Sequence, residues 1–220
     1  MSVWAVLVAA GRGERFGADR PKAFAKLAGR PLLAESLERL DRSDWIDSIV
    51  VVAPPGWEEP AILVAEELGC DKVFTCVEGG GSRAESVRRG VAQVPDEAAA
   101  VVVHDAARPL VSDEVIARVL APLGEGWDGA VPGLAVPDTV KRVDGGRVVE
   151  TLDRATLVAA QTPQAFVAQV LRSALGGEGT DCASLVEAAG GRVTVVAGDP
   201  ILLKVTSPAD LAQIEAWLAA

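Results

Sequence analysis

The 220-residue sequence has no asparagine, one histidine and three cysteines, and aromatic residues make up only 4% of it. The cysteines, Cys70, Cys76 and Cys182, form no C-x-x-C pair and would leave one unpaired if oxidised. They read as reduced thiols and not as a disulfide framework. The lone histidine, His104, has no cysteine or serine constellation beside it and reads as an orienting or packed imidazole. No apolar run approaches the roughly 18 residues of a membrane span. The opening segment MSVWAVLVAAGRGERFG lacks the basic region and small-residue cleavage site of a signal peptide. A soluble, cytoplasmic protein with no membrane contact is expected. Positive charge is scarce too: 21 Lys and Arg against 31 Asp and Glu give a net charge of −10. That excludes a general nucleic-acid binder, whose phosphate contacts need a positive surface. Any local basic cluster therefore stands out.

What the chain does have is apolar content. Half of it is hydrophobic and 24% charged, enough to bury about 70–75% of its extended surface without a disulfide or metal staple. Short β-branched runs alternate with amphipathic windows, the pattern of an α/β protein with a mostly parallel sheet flanked by helices. Strands are expected at Val3–Ala9, Ile49–Ala53, Lys72–Val77, Ala100–Val103, Ala130–Leu134 and Val193–Ala197. Helices are expected from Pro31 to Leu40, over Trp57–Leu68 with Gly69 as cap, and at Arg83–Gln93, Asp113–Leu123, Val167–Leu175, Cys182–Ala189 and Ala209–Leu218. Between them, Thr139–Val143 and Arg147–Thr151 flank Asp144-Gly145-Gly146, a hairpin turn signal. Residues 1–220 read as one domain in which 136–158 form a protruding β-hairpin arm. An isolated hairpin is marginal in water, so this one needs something to pack against, such as a second subunit.

Four segments could carry chemistry. Ala9-Ala10-Gly11-Arg12-Gly13 through Arg15 to Pro21-Lys22 places small residues and bases directly after the first strand, where consecutive N–H groups can cradle an anion. The glycine spacing is wrong for a dinucleotide fingerprint, and Pro21 would break the helix that motif needs. A Walker A loop would require Gly-Lys-Ser/Thr, which is absent. A nucleoside triphosphate loop remains, beside the plainer reading of a turn with solvated arginines. Asp105, after Val102-Val103-His104, falls at the carboxyl end of a strand, where open α/β sheets bind ligands and a carboxylate can hold Mg²⁺ beside phosphates; it could equally cap the next turn. Gly79-Gly80-Gly81-Ser82 leads into a helix carrying Ser86, and its backbone could meet the edge of a base. Lys204 ends the apolar run Ile201–Leu203.

Taken together, AAGRGERFGADRPKAF, VVVHDAARPL, QTPQAF and KVTSPADL resemble the 2-C-methyl-D-erythritol 4-phosphate cytidylyltransferase family over essentially the whole chain. The resemblance implies a Rossmann-like fold of nucleotidyltransferase type. It also implies CMP transfer from CTP to the polyol phosphate, with Mg²⁺, in a homodimer joined through the arm. Position by position, Ala9, Ala10, Gly11 and Gly13 match the loop that wraps CTP, and Gly80, Gly81 and Ser86 match positions at the cytosine. Arg15, Lys22 and Lys204 match the bases around the triphosphate and transition state. Asp105 matches the acid near ribose and metal, and Arg108 a neighbouring substrate contact. Thr139, Lys141 and Arg154 match residues that hold the acceptor phosphate, with Thr162 and Thr180 close by. Ile201-Leu202-Leu203 departs from the family's Asp/Glu-Asn-Ile, so no second carboxylate ligand carries over. The rival readings are a ribitol 5-phosphate cytidylyltransferase, which shares fold and loop but differs in acceptor, and a non-catalytic nucleotide-binding module.

Overall fold

The computed structural model describes residues 2–11, 20–177, 179 and 181–219. In chain order its strands and helices are β1 (Val3–Val8), β2 (Lys26–Leu27), β3 (Arg30–Pro31), α1 (Leu32–Arg42), β4 (Ser48–Ala53), α2 (Glu58–Leu68) and β5 (Val73–Glu78). Next come α3 (Arg83–Val91), β6 (Ala100–Asp105), α4 (Asp113–Gly124), β7 (Gly129–Ala135), β8 (Val140–Asp144) and β9 (Arg147–Leu152). The chain continues through β10 (Val158–Ala160), β11 (Gln164–Val167), α5 (Ala168–Ala174), α6 (Cys182–Ala188), β12 (Val193–Ala197) and α7 (Pro208–Leu218).

The main sheet runs β10-β7-β11-β6-β1-β4-β5, and β12 pairs parallel to β7 off this path. β6, β1, β4 and β5 are mutually parallel, as the unbroken apolar runs suggested. Each strand alternates between two cores. Ala5, Leu7, Ile49 and Val51 face α1, α2 and α4, while Trp4, Val6, Val50, Val52, Val101 and Val103 face α3, α5 and α6. α2 ends where expected, with Gly69 in the left-handed region at φ 66°.

Two departures bear on the site. β6 continues through His104 to Asp105, because both residues still pair with β1. And the QTPQAF segment contains β11, which inserts antiparallel between β6 and β7. Phe166 and Val167 favour a strand, but the run of four residues is short, and pairing with β6 and β7 settles its conformation.

The arm is separate from this body. β8 and β9 form their own two-stranded sheet, with a bulge between Arg142 and Val143, and almost every residue along them is exposed. Val143, Val148 and Val149 are 61%, 54% and 53% exposed. All three cysteines are free thiols, and no helix among the described residues is long and apolar enough to cross a membrane.

Candidate active site

Parallel strands deliver their carboxyl ends to one rim, and there a cleft of about 410 Å³ opens. Its wall comprises the segment after β1 (Ala9, Ala10, Gly11), the loop between β5 and α3 (Glu78 to Arg83), Asp105 with Ala106 and Ala107 after β6, and Lys22 and Lys204. Four separated stretches of sequence thus meet in one place. The first two loops pack closely: a Cβ on Gly79 would lie 2.2 Å from the Ala10 Cβ, and 3.1 Å from the Ala53 carbonyl at the end of β4. Only glycine allows that approach.

The glycine loop is held from α3. Ser86 accepts from the Gly80 N–H at 3.1 Å and donates to the Ser82 carbonyl at 2.8 Å. Glu85 accepts from the Gly81 N–H at 2.8 Å, while Arg89 donates to the Gly79 carbonyl at 3.1 Å. Ser86 therefore fixes the shape of the loop from within the chain.

Asp105 is the electrostatic centre. It is nearly buried, and its Oδ1 receives Arg83 through Nε at 3.1 Å and Nη2 at 3.0 Å. Its Oδ2 receives Lys204 Nζ at 2.7 Å. Burial alone would push this carboxyl up; Arg83 and then Lys204 outweigh it and hold the group ionised, well below the usual carboxylate range. Arg83 is correspondingly raised despite its own burial. This arginine stands at the first turn of α3, inside the glycine-loop segment, yet sequence reasoning assigned it nothing. The only available signal was a base following a glycine run.

Behind Asp105, the Thr162 hydroxyl accepts from the Asp105 N–H at 3.0 Å and lies 3.2 Å from His104 Nδ1. His104 Nε2 lies 2.9 Å from the Arg108 carbonyl. One assignment satisfies all three contacts: Nε2 carries the proton and donates to Arg108, and Nδ1 accepts from Thr162. Burial pushes the imidazole down to about 4, so at neutral pH it is an uncharged strut, as its isolation in the sequence suggested.

The other expected residues are distributed unevenly. Lys22 Nζ donates to the Val205 carbonyl at 2.9 Å, at the cleft wall. Arg108 stands outside the wall and donates to the Leu202 carbonyl at 2.6 Å. Leu202 is fully buried in the core and anchors the Lys204 loop, while Ile201 beside it is exposed. Thr162 is likewise committed to His104 and Asp105. On the arm, Lys141 Nζ donates to Thr151 Oγ1 at 2.7 Å, Arg154 donates to the Pro137 carbonyl, and Thr139 is exposed. None of these three lines the cleft of its own chain. Gly13, Arg15 and Thr180 lie outside the described residues.

A family profile described as 2-C-methyl-D-erythritol 4-phosphate cytidylyltransferase matches residues 3–220. The chain belongs to that family. Enzymes of this name from Rubrobacter xylanophilus and Frankia casuarinae are 44% and 46% identical to it, over 98% and 99% of this chain and 94% and 81% of theirs. The crystal structure of the Thermus thermophilus cytidylyltransferase superposes with a TM-score of 0.78 at 34% identity, covering 98% of both chains.

Among the described residues no group of three or more His, Cys, Asp or Glu could hold a metal. Asp105 nevertheless fits one ligand of a hard divalent ion, because it is an ionised oxygen donor at the cleft wall, and its Oδ2, which takes one hydrogen bond from Lys204, keeps a second lone pair. Such a site draws its remaining oxygens from phosphates and water, the usual arrangement for Mg²⁺.

Proposed function

We propose that the protein transfers CMP from CTP to 2-C-methyl-D-erythritol 4-phosphate, releasing pyrophosphate, as a step of isoprenoid precursor synthesis in the cytoplasm. The observation that carries this reading is the convergence of Lys22, Lys204, Arg83 and Asp105 on a cleft also walled by a glycine loop. In a cytidylyltransferase, that wall suits a base and the cationic rim suits its phosphates.

The chemistry suits this inventory. A phosphate monoester oxygen is the nucleophile; its second pKa is about 6, so it is largely dianionic at neutral pH and needs no general base. It attacks the α-phosphorus of CTP, the bond from that phosphorus to the bridging oxygen breaks, and pyrophosphate leaves. The obstacle is repulsion between anions. Lys22 and Lys204 neutralise charge on the triphosphate and on the five-coordinate transition state, with Arg15, seven residues before Lys22 in the sequence, as a third cation. Asp105 orients Lys204 and offers a ligand to Mg²⁺, which when bound adds charge neutralisation at the phosphates. The acceptor is held in line by Arg154, Lys141 and Thr139. Since these arm residues lie away from their own cleft, they act in a homodimer, each arm serving the neighbouring site.

Pyrophosphate release with CTP and Mg²⁺ tests the reading. Turnover is expected with methylerythritol 4-phosphate and not with ribitol 5-phosphate, and ATP should not replace CTP. Preference for ribitol 5-phosphate would reassign the acceptor. CTP binding with no release for either polyol phosphate would make the protein a nucleotide-binding module.

A further inference from the structure

Lys204 is carried by a loop, and the position of its ammonium group depends on how that loop is held. The carboxyl-terminal part is pinned at three points: Arg108 to the Leu202 carbonyl, the Val205 N–H to the Ala107 carbonyl at 2.8 Å, and Lys22 to the Val205 carbonyl. The other end leaves β12 with the Gly198 N–H on the Gly133 carbonyl at 2.9 Å and Arg118 on the Ala197 carbonyl at 2.7 Å, and the loop proper is then gripped at Asp199 by a side chain from elsewhere. Gln161, directly after β10, presents its amide to the backbone of Asp199. Nε2 donates to the Asp199 carbonyl at 2.9 Å, and Oε1 accepts the Asp199 N–H at 3.0 Å. Gln161 is 4% exposed, and its own N–H donates to the Pro132 carbonyl at 2.7 Å, which fixes it to β7.

The neighbouring residue is shaped to admit this amide. A Cβ on Gly198 would lie 2.5 Å from Gln161 Oε1 and 2.9 Å from the Gly133 carbonyl group. Asp199 in turn organises the start of the loop: its carbonyl also accepts the Leu202 N–H at 3.0 Å, and its carboxylate accepts the Ile201 N–H at 3.0 Å. Gln161 does not reach the cleft, and no step of the transfer uses it.

We propose that Gln161 is a positioning residue for nucleotidyl transfer: by gripping both backbone groups of Asp199 it sets the loop that aims Lys204 at Asp105 and the triphosphate. An amide is suited to this because it matches a peptide's donor and acceptor at once. The proposal rests on the role given above to Lys204. It makes the QTPQ segment a brace with two arms, Thr162 holding Asp105 and Gln161 holding Lys204, so that the carboxylate and its ammonium partner are set by adjacent residues.

The test is a cycle of four enzymes: wild type, Q161M, K204A and the double variant. Met keeps the volume of Gln and removes both hydrogen bonds. Turnover is followed by pyrophosphate release and folding by circular dichroism. Displacing a catalytic group by about 1 Å can cost about 10²-fold, so Q161M is expected to lower kcat by about 10- to 100-fold. In the K204A background the same change should cost less than about threefold, since coupled residues are not additive. Equal losses in both backgrounds, or wild-type kcat in Q161M, would overturn the latch while leaving the proposed function intact. K204A at the wild-type rate would remove the phosphate role of Lys204 and this proposal with it. Should Q161M fail to fold, Q161N, which keeps the amide one methylene shorter, is expected to show the same dependence on Lys204 with a smaller loss; equal losses there would overturn the latch equally.

Discussion

The end of β6 and the β8–β9 arm both concentrate polar side chains, but they hold them in opposite ways. At the end of β6, Asp105, His104 and Thr162 are buried and satisfied within one chain, each fixing the next. On the arm, the Arg142–Glu150 pair is 2.8 Å long but more than half exposed on both sides, and apolar valines stand in water beside it. Exposed pairs of this kind contribute at most about 1 kcal/mol. Burial makes the first region geometrically determined by its own sequence. The second leaves its apolar side chains uncovered within one chain, and the proposed homodimer would cover them.

The comparison can be broken most severely at the buried end. Lys22→Ala and Asp105→Asn are each expected to reduce turnover by at least about 10²–10³, the usual cost of losing one preorganised electrostatic group. Pyrophosphate release measures it, and near-normal activity in either variant removes its assigned role. Asp105→Asn should in addition lower the unfolding midpoint, because Arg83 and Lys204 lose their counter-charge, and by more than Lys22→Ala, which gives up the hydrogen bond to the Val205 carbonyl.

A second effect follows from His104. Its folded value is depressed to about 4 from 6.5, so between those limits the unfolded chain binds a proton that the native chain does not. Stability therefore falls as pH drops from about 6.5 to 4, by roughly 3 kcal/mol in total. Asp105, depressed by its two cations, adds a further loss only below the ordinary carboxylate range. Urea unfolding at pH 7, 5.5 and 4.5 should show the slope, and His104→Gln should flatten it; an unchanged slope would mean that another group titrates.

The smallest effect is expected at the arm. Val148→Asp should change the stability of the body by no more than about 0.5 kcal/mol, as for other exposed sites. Sedimentation should nonetheless show the variant as a monomer with reduced affinity for the acceptor. A cooperative loss of the whole fold would show that the arm is not energetically separate.

How much of this was legible in the sequence depended on range. The continuous run of β1, the left-handed Gly69 cap and the Asp144-Gly145-Gly146 turn are local signals, and each element lies within two residues of its expected place. The convergence of the glycine loops, Asp105 and the two lysines was legible because parallel strands send their carboxyl ends to one rim. What escaped was non-local. β11 exists because β6 and β7 leave a slot between them, Arg83 matters because of a carboxylate 22 residues away, and Gln161 meets Asp199 across 38 residues. Propensity carries no information about such pairings.

The resting site also bears on how tightly a nucleotide can be held. Lys204 already rests on Asp105 and Lys22 on the Val205 carbonyl, so each ammonium meets an incoming triphosphate already oriented, with at least one of its three N–H donors committed to a protein oxygen. The protein oxygens share the lysines with the phosphates, so less ordering of long side chains is left to be done when the nucleotide arrives. The same oxygens keep both lysines in place after pyrophosphate has gone, so the site does not have to be rebuilt for the next nucleotide.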